Sequence, residues 1–230
     1  GRTGSALYAK LKADPRVGEV RALVRNVTKA QEALNCSACD ASEGIFVGDV
    51  TEPTSLTAAF AGVDTVAIAI GVGGGASESL MKSVEFKGVE NQVSALAVGK
   101  NGSALASLRV VLCSSMGTTN PKPPSFEGGP VLFWKLNAEG FLGFSGVGST
   151  VVKPCGLKDA PGGHSALGTG HDDQLPGLAG FVAREDVAAV MAEAVVQRST
   201  VRFLLCNKMF GKPTTDLAGL IDGARWPWQQ

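Results

Sequence analysis

The stretch "GRTGSALYAKLK", residues 1–12, runs two closely spaced glycines straight into a helical pattern. Gly1 and Gly4 have the spacing of the last two glycines of G-x-x-G-x-x-G. Such a turn lets the backbone approach a pyrophosphate, which then sits at a helix N-terminus where free N–H groups and the helix dipole favour negative charge. The pair alone is weak evidence, because glycines also cap and close loops. Its weight comes from the chain beyond it.

Six apolar runs follow: "VRALV" (20–24), "IFVG" (45–48), "TVAIAI" (65–70), "RVVLCS" (109–114), "TVVKP" (150–154) and "VRFLLC" (201–206). Their apolar residues are successive rather than alternating, as in strands buried on both faces. Helical patterns lie near 3–13, 27–34, 53–61, 80–100, 131–145, 184–197 and 214–222. Strand alternating with helix predicts a doubly wound α/β fold, with a parallel sheet and right-handed crossovers. No composition break divides residues 1–230, which read as one domain. "GVGGGASES" (71–79) and "GLKDAPGGHSALGTGHDDQLPGLAG" (156–180) each follow a strand's carboxyl end. Open α/β sheets place ligands there, so both read as ligand-side loops.

The end of the second strand in such a fold reads the adenosine ribose. An acid there suits a 2′-hydroxyl and NAD; a base suits a 2′-phosphate and NADP. This chain has Arg25, which predicts NADP(H). The alternative is a surface arginine at a strand end. Asp49 in "VGDVTEP" stands where an adenine edge would lie; otherwise it caps the helix at 53–61, a role Thr51 fills equally well.

Composition narrows the classes. The chain is 44% hydrophobic and 18% charged with zero formal net charge, so nothing global draws it to nucleic acid or an acidic membrane. No apolar run is long enough to span a bilayer. The core is large enough to need no disulfides. Of five cysteines, Cys113, Cys155 and Cys206 lie in apolar runs and read as core. Cys36 and Cys39 form a lone "CSAC": half a zinc site, a redox pair or, by default, a surface loop. His164 and His171 are too far along the chain to complete a zinc set, and no metal is expected.

"GRTG", "LVRN", "GDVTEPTSL", "VEFKGVENQV", "VVLCSSMGTTNP", "FWKLNAEGFL", "STVVKPCGLKDAPGG" and "VAREDVAAV" occur in that order. Together they resemble the atypical short-chain dehydrogenase/reductase family, in its NmrA-like plant and algal branch. The resemblance implies a Rossmann-type sheet of order 3-2-1-4-5-6-7 with NADP(H) across its carboxyl edge. Strand 1 would precede residue 1, and the polypeptide is expected to extend upstream by it. The family pattern puts Gly1, Arg2, Thr3 and Gly4 on the pyrophosphate and Arg25 on the 2′-phosphate. Asp49 and Val50 flank the adenine, and Gly71 underlies the nicotinamide ribose. Ser114 and Ser115 end the strand that carries the catalytic serine; Ser115 and Lys135 take the catalytic roles, and Ser114 lies on the cofactor. Lys135 holds the ribose hydroxyls, and Pro154, Cys155, Gly156 and Leu157 lie by the carboxamide. A lysine snorkelling from its helix is the alternative for Lys135.

One departure bears on activity. The superfamily uses Tyr-x-x-x-Lys, the tyrosine acting as general acid. Here Val131 stands four residues before Lys135, and the single tyrosine, Tyr8, belongs to the first helix. Losing a positioned acid forfeits about 10²–10⁴ in rate. The favoured expectation is a weakly or non-catalytic redox sensor, scaffold or accessory subunit of a larger complex. The alternative is an active reductase of a quinone or small carbonyl. "RWPWQQ" (225–230) is a partner-binding stretch or a tail folded on its own domain. The plant and algal likeness points to the chloroplast, with the cytoplasm as alternative and membrane contact only through a partner.

Overall fold

The structure is a computed structural model describing residues 1–119, 130–174 and 176–229. The "NP" at the end of "VVLCSSMGTTNP" and Leu175 of the 156–180 stretch lie outside the described residues. In chain order, α1 (Arg2–Ala13) leads to β1 (Ala22–Val24), α2 (Val27–Leu34) and β2 (Ile45–Val47). A 3₁₀ turn (Pro53–Leu56) and α3 (Thr57–Phe60) precede β3 (Thr65–Ile68). A continuous helical stretch follows: α4 (Glu78–Met81), a π-helical segment (Lys82–Lys87) and α5 (Gly88–Ala97). Next come α6 (Gly102–Ala106), β4 (Arg109–Cys113), α7 (Pro130–Phe144), β5 (Gly148–Pro154), β6 (Gly156–Lys158) and β7 (Leu167–Gly170). The described chain closes with β8 (Phe181–Ala183), α8 (Arg184–Gln197), β9 (Val201–Asn207) and α9 (Leu217–Asp222).

Strands β3-β4-β5-β9 pair in parallel in that order, and β7 adds antiparallel at the far edge. β1 and β2 pair in parallel as a separate ribbon. Both orders match the expected one. Among the described residues no strand lies between β1 and β3, and the two do not hydrogen-bond. The stretch 156–180 is more than a loop: it contains β6, paired with β8, and β7. Strands of three or four residues carry too little periodicity to be read.

The successive apolar residues do serve two faces. Val111 and Cys113 of β4 pack toward α1, α8 and α9, with Leu7, Met191 and Ile221. Val110 and Leu112 pack the other way, with Val89 of α5 and Ala138 and Leu142 of α7. Helix α8 runs beneath the sheet and buries Val187, Ala188, Val190 and Met191 completely. A third, smaller cluster of Ala30, Cys39 and Ile45 fastens α2 to the β1–β2 ribbon.

Cysteine pairing departs from expectation. Cys155 and Cys206 are core residues but lie in disulfide contact across β5 and β9, with Cα atoms 5.3 Å apart. Cys36 and Cys39 also pair, and Glu43 accepts the Ser37 and Cys39 amides beside them. The "CSAC" stretch is thus an ordered turn rather than a bland loop. Chain spacing cannot show that β5 and β9 bring Cys155 and Cys206 together. Cys113 is free and buried, and burial pushes its thiol pKa up.

Candidate nucleotide and acceptor site

Helix α1 opens with Gly1 as N-cap, no side-chain cap and no acid in its first turn. Its leading amides are therefore free for an anion. Gly4 lies against Ala69, just past β3, where a methyl group would still fit at 3.9 Å. Arg2 is already engaged: Asp159 accepts from it in an exposed pair and also holds Arg184 at 2.7 Å. Arg25 follows β1 directly, its side chain 73% exposed and 4.0 Å from Asp49. Asp49 accepts from the Thr51 amide (2.9 Å) and hydroxyl (2.8 Å). The Thr51 amide, its hydroxyl and Arg25 hold its pKa low against burial. Asp49 is thus the cap of a tight turn, not of a helix. Val50 points inward onto Gly88 of α5, and its carbonyl accepts from Asn91 at 2.8 Å. These groups fit a nucleotide diphosphate: open amides, a loosely paired guanidinium and no first-turn acid to repel the charge.

The carboxyl ends of β3 and β4 carry the second half. Ile70, Glu85, Leu112, Cys113, Ser114 and Lys135 line a narrow cleft. Lys135 does not snorkel. Its ammonium donates to Glu85 at 2.7 Å, with side chains 16% and 2% exposed. Glu85 also accepts the Val72 amide at 2.9 Å and so ties the 71–79 stretch to α7. The π-helical segment widens the turn and buries both Val84 and Glu85. Gly71 lies beyond the end of β3, where a Cβ would meet the Glu85 carboxylate at 3.5 Å.

Ser114 lines the cleft but donates its hydroxyl proton to Glu139 of α7, which also accepts from Thr118 at 2.9 Å. Ser115 donates to the Met116 carbonyl at 2.9 Å and is absent from the cleft lining. Of the two serines, Ser114 is the one that shares the cleft lining with Lys135. Successive residues at a strand end point to opposite sides, so only one of them can face α7. Pro154 and Cys155 are buried, while Gly156 and Leu157 are exposed in β6. Cys155 packs against Met116 rather than opening to the cleft.

Sequence reasoning missed Glu85, Thr118, Glu139, Lys153 and Asp173. Lys153 is buried in β5 and faces Asp173 at 3.4 Å. Asp173 accepts the Gly117 and Thr119 amides at 2.9 and 3.0 Å. Burial raises its pKa, but Thr119, Gly117 and Lys153 outweigh that and hold it low. One signal was available: Glu139 follows Lys135 by four residues, one helical turn along the same face. The tail folds back, with Trp226 stacked on His171 at 3.8 Å, while Trp228 remains 75% exposed. Among the described residues no helix is long and apolar enough to cross a membrane.

A family model described as NAD(P)H-binding matches residues 1–198. An uncharacterized chloroplastic protein of Arabidopsis thaliana is 31% identical over 96% of this chain and 72% of its own length. The sanguinarine reductase of Eschscholzia californica is 28% identical over 85% of this chain and 81% of its own. A candidate NAD-dependent epimerase/dehydratase from Bacillus halodurans superposes with a TM-score of 0.76 at 24% identity, over 97% of this chain and 95% of its own. That likeness, with its Rossmann-type α/β sheet, bears on the fold.

Proposed function

Because the chain belongs to the NAD(P)H-binding family, we propose that it is an NADP(H)-dependent reductase whose hydride acceptor needs no proton from the protein. Within the family we place it in the atypical short-chain dehydrogenase/reductase group, on its plant and algal branch, acting as one domain over residues 1–230. The nicotinamide nucleotide supplies the hydride. Gly1 to Gly4 hold the pyrophosphate at the start of α1, and Arg25 selects the 2′-phosphate. Asp49 and Val50 flank the adenine. Lys135, aimed by Glu85, takes the ribose hydroxyls, and Gly71 and Pro154 to Leu157 frame the nicotinamide end.

The observation that carries this reading is the state of the cleft hydroxyl. Ser114 is the one hydroxyl residue among the described cleft-lining residues, and its proton is committed to Glu139. Val131 occupies the helical position of the missing general acid. The similarity to a protein named as a reductase supports turnover. The test is NADPH oxidation with three acceptor types: an N-alkyl iminium ion, a quinone and an aldehyde. Turnover is expected in that order, and aldehyde reduction as fast as iminium reduction would end the proposal.

A second reading, a nucleotide-binding sensor or accessory subunit, draws on Val131 and on the exposed Trp228. Tight NADPH binding without oxidation of any acceptor selects it. The likeness to a chloroplastic protein supports residence in the chloroplast; cell fractionation with an antibody checks that placement.

A further inference from the structure

Glu139 lies one turn past Lys135, its side chain fully buried. Its Oε1 accepts from Ser114 and Thr118. Its Oε2 has no hydrogen-bond partner, and the Arg202 guanidinium of β9 approaches to 3.6 Å. The other nearby cations are committed, Lys135 to Glu85 and Lys153 to Asp173. Ser114 donates to Glu139, and what it turns to the cleft is oxygen lone pairs.

We propose that Glu139 is a positioning residue that sets acceptor specificity: it holds the Ser114 proton out of the cleft and so favours cationic acceptors such as N-alkyl iminium ions over quinones and carbonyls. The inference rests on the reductase reading above. A cationic acceptor that gains a hydride, with its electron pair, becomes a neutral amine; the nucleotide is oxidised, and no proton moves. A quinone or carbonyl that gains a hydride becomes an oxyanion and needs a proton delivered to that oxygen. The site as built withholds one.

Glu139→Gln tests this. Arg202 can only donate, so the amide oxygen turns toward it and the NH₂ group toward Ser114 and Thr118. Ser114 then accepts, and its proton is freed for the cleft. The probes are N-methylacridinium and a naphthoquinone, each with NADPH. The ratio of kcat/KM for naphthoquinone to that for N-methylacridinium is expected to rise at least about tenfold, equivalent to about 1.4 kcal/mol. The rise should vanish in the Ser114→Ala/Glu139→Gln double variant, with NADPH affinity unchanged by Glu139→Gln alone. An unchanged ratio, or a rise that survives Ser114→Ala, overturns the proposal. If the unmutated protein reduces neither probe, the reductase reading fails separately. The Glu139 assignment is then read from whether Glu139→Gln creates Ser114-dependent naphthoquinone turnover; none overturns it. Should Glu139→Gln not fold, Glu139→Asp, too short to reach Ser114, is read in the same way.

Discussion

The proposed nucleotide end, around the start of α1 and Arg25, and the proposed acceptor end, around Lys135 and Ser114, treat polar groups in opposite ways. At the nucleotide end, donors are left open: the first amides of α1 have no side-chain cap, and Arg25 is exposed with only a distant carboxylate. At the acceptor end, donors are buried and engaged by partners inside the protein. Lys135 has Glu85, Ser114 and Thr118 have Glu139, and Lys153 has Asp173. The difference follows from what each end meets. A phosphate brings its own charge, so an exposed donor waits for it in water at little cost. A buried donor has no water to fall back on and must be matched by the chain itself.

The strongest way to break this contrast is to remove an internal partner. Glu85→Ala leaves the Lys135 ammonium and the Val72 amide without their acceptor. Breaking one side of a buried ion pair costs about 3–5 kcal/mol, and the urea midpoint should fall accordingly; an unchanged midpoint would mean that the pair is solvated. Next in size, Val131→Tyr places a phenol one turn before Lys135. Aldehyde reduction is expected to rise by about 10²-fold, measured as NADPH oxidation. No gain would show that the acceptor end is closed to a new proton donor.

The nucleotide end responds less. Arg25→Ala should weaken NADPH at least about tenfold, or about 1.4 kcal/mol, and leave NADH unchanged. Calorimetry reads both, and equal affinities of the unmutated protein for the two nucleotides would remove the NADP assignment. The smallest effect is on acid stability. Asp173 is held below its ordinary pKa. The unfolded chain therefore takes up that proton first as pH falls. The carboxylate's contribution is complete above about pH 4, the unfolded value, and is lost as pH drops through the lower folded value. Asp173→Asn should flatten this acid limb in thermal melts between pH 5 and pH 2.

Much of the framework was legible because burial on two faces writes successive apolar residues into a strand. All six expected strands form, and helices Val27–Leu34 and Arg184–Gln197 match their expected bounds. β6, β7 and β8 were not legible: "GLK" and "LGTG" owe their pairing to neighbours distant in sequence. At the site, Lys135 could be singled out as a cation among apolar residues, but its partner could not. Glu85 lies fifty residues away, in a helix whose π turn alters its phase. Sequence reasoning put the catalytic role on Ser115, whereas the direction of the strand end turns Ser114 to the cleft lining.

Sequence by itself determined the alternation of strand and helix, the glycine pair at the start of α1, the basic residue after β1 and the valine in place of tyrosine. Each is a local property, carried by residue type and short spacing. Tertiary structure alone decided which groups pair with one another: Lys135 with Glu85, Ser114 with Glu139, Cys155 with Cys206. Those pairings join segments that meet only once the sheet has formed. The strength of the two polar pairings comes from exclusion of water, a property of the packed fold and of no single stretch of chain.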